Sequence, residues 1–361
     1  MKTRICFSVS NHGLGHLSQV AAVAKRLHYI DPEVHILVRS TFAPPTLQQW
    51  IGHENIEHTY AVDDVGIKMR NATQIDHPAT KKAYQTFHDN FSQRVEELSH
   101  WLEQNQVDIL VSNIGYLPLQ AAQKLSILNV AMCSINWFEV LAAYEGAFVP
   151  TDYLEVIKET YQKTDLFIRP CPSMPMPYLE NAIDVPPIGR QGINRRHVLN
   201  QRVGLDANNI VILVGFGGLR KEIPTTHLPT IIDNRHVVYV FPDDTTATDL
   251  PYIRQSDCQL SYPDLISSVD IVLTKPGYGI FVEAGAAGVP IAYLPRADWP
   301  DVDSLLTWMN QVSKAIQVDP ARDDRSLIES AFRELIRFGK AIPIVPSGAC
   351  EAAKQITAIV A

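Results

Sequence analysis

No apolar run in the chain approaches the roughly 20 residues that a membrane-crossing helix needs. Positive charge is not in surplus either. Thirty-one Lys and Arg face 39 Asp and Glu, a net −8 with His neutral, so no broad positive field holds nucleic acid or an anionic membrane nonspecifically. The five cysteines, Cys6, Cys133, Cys171, Cys258 and Cys350, are odd in number, scattered and free of CxxC spacing, which argues against a disulfide framework or a zinc site. Twelve histidines contain no HExxH, and neither a GxSxG elbow nor a GxxxxGK[ST] phosphate loop is present, which weakens the metallohydrolase, serine hydrolase and kinase readings. Met1 to Phe7 runs into a strand-like segment without the long apolar stretch of a signal peptide. These absences lead to the expectation of a cytoplasmic chain with no metal, cofactor or nucleic-acid partner. Peripheral membrane contact and oligomeric state stay open.

What is present is enough apolar material for real cores. The 361 residues are 46% hydrophobic and 19% charged, and the length exceeds the ~250–300 residues at which single cores stop growing. Short apolar segments alternate with helix-patterned ones throughout, the rhythm of parallel sheets covered by helices on both faces. The reading is α/β, with two Rossmann-like doubly wound domains facing across a cleft. Strands are expected near 4–10, 35–40, 108–113, 130–136 and 166–169, with helices near 16–30, 80–105, 117–128 and 152–163. Strands near 210–214, 236–241, 271–274, 290–294 and 315–318 make the second set. The expected division is a first domain over 1–188, a linker over 189–208, a second domain over 209–345, and a terminal helix over 346–361 that can cross back to the first.

Three glycine loops follow predicted strands. The first, Asn11-His12-Gly13-Leu14-Gly15-His16, precedes a helix, and such a turn lets backbone approach a ligand and aims free amides at negative charge. A dinucleotide fold would want a third Gly or Ala at Ser18 and an acidic residue closing the second strand. That strand ends Val38-Arg39-Ser40, which leaves Arg39 only as a partner for a phosphorylated cofactor. In the second half Gly215-Phe216-Gly217-Gly218 closes one strand and Lys275-Pro276-Gly277-Tyr278-Gly279 another. Helix amides with Lys275 nearby suit a phosphate or pyrophosphate. Glu283 lies one turn further along, where a carboxylate can meet a ribose diol.

TKPGYGIFVEAGAAGVPIAYLP at 274–295, with NHGLGH at 11–16, resembles the nucleotide-sugar signature of GT-B fold glycosyltransferases. The resemblance points to the branch with plant galactolipid synthases and the lipid-II-forming N-acetylglucosaminyltransferase. The continuation Arg296-Ala297-Asp298-Trp299-Pro300-Asp301 is similar to the transferase-like half of plant arabinose kinases. The resemblance implies a hexosyl or N-acetylhexosaminyl transferase with a UDP-sugar or similar donor on the second domain. Pyrophosphate would lie over Gly277, Tyr278 and Gly279, ribose on Glu283, and Gly215, Gly217 and Gly218 on the opposite wall. The acceptor would enter from the first domain, near Gly13 and Gly15. His16 is the leading general base, since an imidazole with pKa near 6.5 can take a proton from a hydroxyl; His12 is the reserve. Arg296, Asp298 and Asp301 stand where many relatives carry an acid–glutamine pair for the sugar, so the donor sugar is not read from the sequence. A nucleotide-sugar-binding module without catalysis, or an epimerase or phosphorylase on the same fold, are the alternatives.

Other constellations have plainer explanations. Asp301-Val302-Asp303 spells a metal-binding D-x-D, but acidic residues in a first helical turn also suit the macrodipole. Arg190, Arg195 and Arg196 are either phosphate contacts or solvated linker. The segment Asn136 to Tyr144 is either an acceptor wall or a packed helix.

Overall fold

Apolar runs without alternation, such as Ile109–Asn113 and Ile210–Gly215, are buried along their whole length, the mark of parallel strands covered on both sides. The computed structural model describes residues 2–52, 56–71, 74–144, 149–216, 225–245, 250–296 and 299–359. Strands β1 (Arg4–Val9), β2 (His35–Ser40), β3 (Ile56–Tyr60), β4 (Met69–Asn71), β5 (Gln74–Ile75), β6 (Ile109–Asn113), β7 (Leu128–Met132), β8 (Leu166–Pro170) and β9 (Ala182–Val185) come from the first half. Seven of them form one parallel sheet in the order β3-β2-β1-β6-β7-β8-β9, while β4 and β5 pair with each other. The second half contributes β10 (Ile210–Gly215), β11 (Ile231–Ile232), β12 (Arg235–Phe241), β13 (Tyr252–Arg254), β14 (Ile271–Thr274), β15 (Ile291–Tyr293) and β16 (Ala315–Gln317). Their order is β11-β12-β10-β14-β15-β16, with β13 also on β12 and β11 antiparallel.

Each sheet separates two apolar layers. Phe7, Leu17 and Val38 lie on one face of the first sheet, Leu110, Tyr116 and Trp137 on the other. In both sheets the chain reverses direction of travel beside the first strand, at β1/β6 and β10/β14. At such points crossovers leave on opposite faces, and a crevice opens outside the carboxyl ends of the strands. The glycine loops sit there.

The strands expected from apolar runs fall within about two residues of their places, except that 130–136 is shifted to 128–132. Three features differ. The helix expected over 80–105 is two helices, His77–Asp89 and Phe91–Gln104, broken at Asn90, whose φ of −125° leaves the helical region. The edge strands β3 and β9 lack the apolar run of a central strand, because an edge is half solvated. Finally, the stretch 189–208 carries a helix, Arg196–Val203, anchored by fully buried Leu199 in the second half's core. No helix among the described residues is long and apolar enough to cross a membrane.

The last helix, Gly348–Ala358, packs on helix Leu14–Ile30, and its Ala349, Ala352, Ala353 and Ile356 complete an apolar layer of the first sheet. Gly348 is required by close approach, since a Cβ there would strike the Pro186 carbonyl. Ile356 is fully buried. Ile356→Ala is expected to cost about 2–5 kcal/mol of stability, read as a lowered denaturant midpoint with unchanged slope.

Candidate functional site

The first half presents its polar residues at the carboxyl ends of β1, β6 and β7. Gly13 caps helix Leu14–Ile30 with φ +135°, a conformation that side-chain-bearing residues rarely adopt. Neither Gly13 nor Gly15 has any atom within 4 Å of where a Cβ would stand, whereas Gly189, Gly192, Gly285 and Gly348 are packed tightly. The two motif glycines therefore face open space over a helix N-terminus. His16, in the first turn, is buried, with Nδ1 2.7 Å from Asn113 Oδ1 and 3.8 Å from Cys133 Sγ. Burial pushes the His16 imidazole down to about 4, against a smaller upward pull from Asn113. It is neutral at physiological pH.

The second half brings cations to the same crevice. Gly277 caps helix Tyr278–Ala286, and a Cβ on Gly279 would meet nothing within 4 Å. Lys275 precedes that helix, and Arg296 follows β15 with its guanidinium donating to the Pro276 carbonyl at 3.1 Å. Burial, then the Arg296 charge, lowers Lys275 to about 7, opposed by Asp301. Asp301 is itself raised to about 6 by burial, with Arg296 and Lys275 pulling the other way. Its Oδ1 is buried without a hydrogen-bond partner among the described residues. Of the D-x-D carboxylates, Asp301 is buried and Asp303 exposed.

Aromatic rings join the halves. Trp299, carried by the second half, stacks on His12 at 5.3 Å and 4°, and lies in the core layer that holds Trp137; the Trp137 ring meets His12 edge-on at 5.4 Å. Arg296 also lies over Trp299, its Cζ 4.2 Å from the ring centroid. Burial, then the charges of His16, Arg296, Lys275 and Lys68, pushes His12 down to about 3. Thus His12, His16, Lys275, Arg296 and Asp301 are brought into one electrostatic neighbourhood.

Other expected residues are placed differently. Glu283 is 5% exposed, and both its oxygens accept from Arg190, at 2.6 and 3.2 Å. Arg190 in turn lies over Trp50 at 4.7 Å. Burial raises the Glu283 carboxyl while the Arg190 hydrogen bonds and charge hold it down. The Tyr278 hydroxyl accepts from the Ile188 amide at 2.9 Å and donates to the Cys171 carbonyl at 3.1 Å, tying the chain before the second half to the helix cap. A Cβ on Gly215 would press on the Tyr262 hydroxyl and Ile280, so that glycine serves close packing. Gly217, Gly218 and Asp298 lie outside the described residues. Arg39 is held by Asp63 at 2.7 and 2.8 Å and stacks on Trp101 at 4.4 Å, an internal pairing instead of a cofactor phosphate contact. Arg195 and Arg196 are paired with Asp264 and Asp270. Asn113 and Gln19 were not singled out by the sequence, and Trp137 and Trp299 were named only as members of the segments Asn136 to Tyr144 and Arg296 to Asp301. Only the strand-end position of Asn113 hinted at a role.

No protein-family model matches the chain. The calicheamicin glycosyltransferase CalG4 superposes over 100% of this chain and 99% of its own with a TM-score of 0.64 at 16% identity. Arabidopsis thaliana UGT89C1 complexed with UDP-L-rhamnose covers 99% and 94% with a TM-score of 0.63 at 13% identity. The chain has the GT-B fold. In sequence, an L-arabinokinase of Arabidopsis thaliana is 25% identical over 296 residues, 80% of this chain. The match takes in 28% of that protein's length, so the kinase as a whole is no guide to this chain. The expectation of a GT-B fold and of likeness to the arabinose-kinase branch is borne out. In the GT-B fold the two sheets face across a crevice, and here that crevice holds the cluster just described.

Proposed function

We propose that the chain is a glycosyltransferase that moves a sugar from a nucleoside-diphosphate sugar, a UDP-sugar by preference, to an acceptor hydroxyl without a metal ion. The observation that carries the reading is the meeting of a neutral buried His16 at one helix N-terminus with Lys275 and Arg296 at another. One side is suited to accept a proton, the other to receive negative charge. The acceptor oxygen bonds to the anomeric carbon, the bond from that carbon to the diphosphate breaks, and the acceptor proton passes to His16 Nε2. Lys275, Arg296 and the amides opening helix Tyr278–Ala286 stabilise the departing diphosphate, by preorganised charge and dipole. Glu283 receives a ribose hydroxyl with its remaining acceptor capacity, since a carboxylate offers about four acceptor sites and Arg190 takes several of them with its guanidinium and backbone amide. Asp301, with an unpartnered Oδ1, is the side chain best suited to a sugar hydroxyl.

Calorimetric titration with UDP, GDP, ADP and dTDP, with and without magnesium, tests the donor site. Selective binding that persists without magnesium is the expected result, and binding of none overturns the reading. Glu283→Ala is expected to weaken binding of the preferred nucleotide about tenfold, in line with loss of hydrogen bonds to a charged group; an unchanged dissociation constant removes the ribose assignment.

A further inference from the structure

We propose, on the donor site put forward above, that Asp301 is a specificity-determining residue that tells the nucleotide-sugar donor from the diphosphate product by charge. It accepts a hydrogen bond from the sugar and repels the phosphate that the sugar leaves behind.

A buried carboxylate is out of place in a site built for an anion, because a like charge disfavours the charged ligand. Helix capping does not explain it. Asp301 stands at the N-cap of helix Val302–Val312, yet its side chain makes no capping hydrogen bond to that helix. The residue is only 7% exposed, and its Oδ1 is buried with no hydrogen-bond partner among the described residues. Its surroundings place it in the seam between the halves. Trp299 and Val302, close to it in sequence, pack into the apolar layer of the first half, and its charge reaches the Cys133 thiol on that wall. The first half presents Cys133, with His16 3.8 Å from its Sγ, and neutral His12 stacked on Trp299. From the second half, Lys275, Arg296 and the Trp299 side chain all favour the charged carboxylate against its burial.

The reaction gives such a carboxylate a use. In the donor the terminal phosphate is esterified to the sugar and carries a single negative charge, while the sugar offers hydroxyl donors that a free carboxylate oxygen accepts. After transfer the same phosphate is unesterified, brings no hydroxyl, and takes on a further charge above about pH 6. Lys275 and Arg296 attract both ligands, so the carboxylate supplies the difference. Specificity is a difference of affinities, and a repulsive element can set it. Donor is thereby held while product is released.

Calorimetry with UDP and with its methyl ester at the terminal phosphate isolates the effect without the natural sugar, since the ester keeps the diphosphate and lacks the further charge. Asp301→Asn, of the same shape and uncharged, is expected to strengthen UDP relative to the ester about tenfold at pH 8, the equivalent of one pKa unit of like-charge repulsion. An affinity ratio equal to that of the wild type overturns the proposal. The wild type gives a second reading that needs no substitution. At pH 5 the two ligands carry nearly the same charge and Asp301, raised to about 6 by burial, is largely protonated; from there to pH 8 the ratio is expected to move toward the ester. Movement toward UDP, the result if Lys275 and Arg296 alone acted, also overturns it. Binding of neither ligand removes the donor site and this role together, whereas binding of both with an unchanged ratio removes the role of Asp301 alone.

Discussion

His16→Ala is expected to lower kcat by about 10²–10⁴, the usual worth of a well-placed general base, and to leave the dissociation constant of the preferred nucleotide unchanged. The separation follows from where the groups sit. His16 belongs to the first half and touches Asn113 and Cys133, whereas Lys275, Arg296 and Glu283 belong to the second. Turnover assays beside calorimetry check both parts, and a variant that loses nucleotide affinity as much as turnover contradicts the division of labour. The pH dependence has a definite sign. Because burial depresses His16 to about 4, its lone pair is available throughout the neutral range and is lost only as pH falls through that value. The acidic limb of kcat should therefore lie well below the ordinary histidine value near 6.5. The same depression makes the fold acid-sensitive. Unfolded histidine takes up protons from about 6.5 downward, so the stability contributed by neutral His16 is present above that pH and is lost progressively as pH falls toward 4.

Lys275→Ala should have the second large effect, a fall in kcat of about 10²–10³, comparable to removing one preorganised donor from a developing anion. Weaker nucleotide binding should accompany it. Burial and Arg296 lower Lys275 to about 7, so above that pH much of it is neutral. A diphosphate favours the charged form. Binding above pH 7 should then be coupled to proton uptake, and affinity should decline as pH rises from 7 to 9. Asp301, raised to about 6, acts in the same direction, because its protonation below that value removes a negative charge from the anion's neighbourhood. Titrations in buffers of different ionisation enthalpy measure the protons taken up. Lys275→Ala should abolish most of the uptake at pH 8, and a wild-type protein that takes up none there contradicts the assignment.

The fold was legible because its central strands are buried on both faces, which writes them as unbroken apolar text. Ile210–Gly215 is the clearest case. Edge strand β3, Ile-Glu-His-Thr-Tyr, is half solvated and reads as loop. The glycine turns were visible for a local reason, since strand, glycine and helix follow one another within a few residues. The polar network behind them was not. Asn113 is 97 positions from His16, and Arg190 is 93 from Glu283; no periodicity links such pairs, which meet only through strand order. Glu283 shows the limit of spacing most plainly. Its place on the helix was apparent from Gly279, but not that a guanidinium from the preceding connection grips both its oxygens. Trp299 is similar, an aromatic in a polar loop whose packing on His12 depends on the other half of the chain.

The crossing of helix Gly348–Ala358 onto helix Leu14–Ile30 also bears on the order of events during synthesis. The first half's strands leave the ribosome early, yet one apolar layer of that half is finished only by Ala352, Ala353 and Ile356. At translation speeds of ~5–20 residues per second, the wait from Val185 to that helix lasts on the order of ten to thirty seconds. During this interval an apolar stripe on helix Leu14–Ile30 stays uncovered on the nascent chain, a surface for chaperones to shield until the last helix closes it.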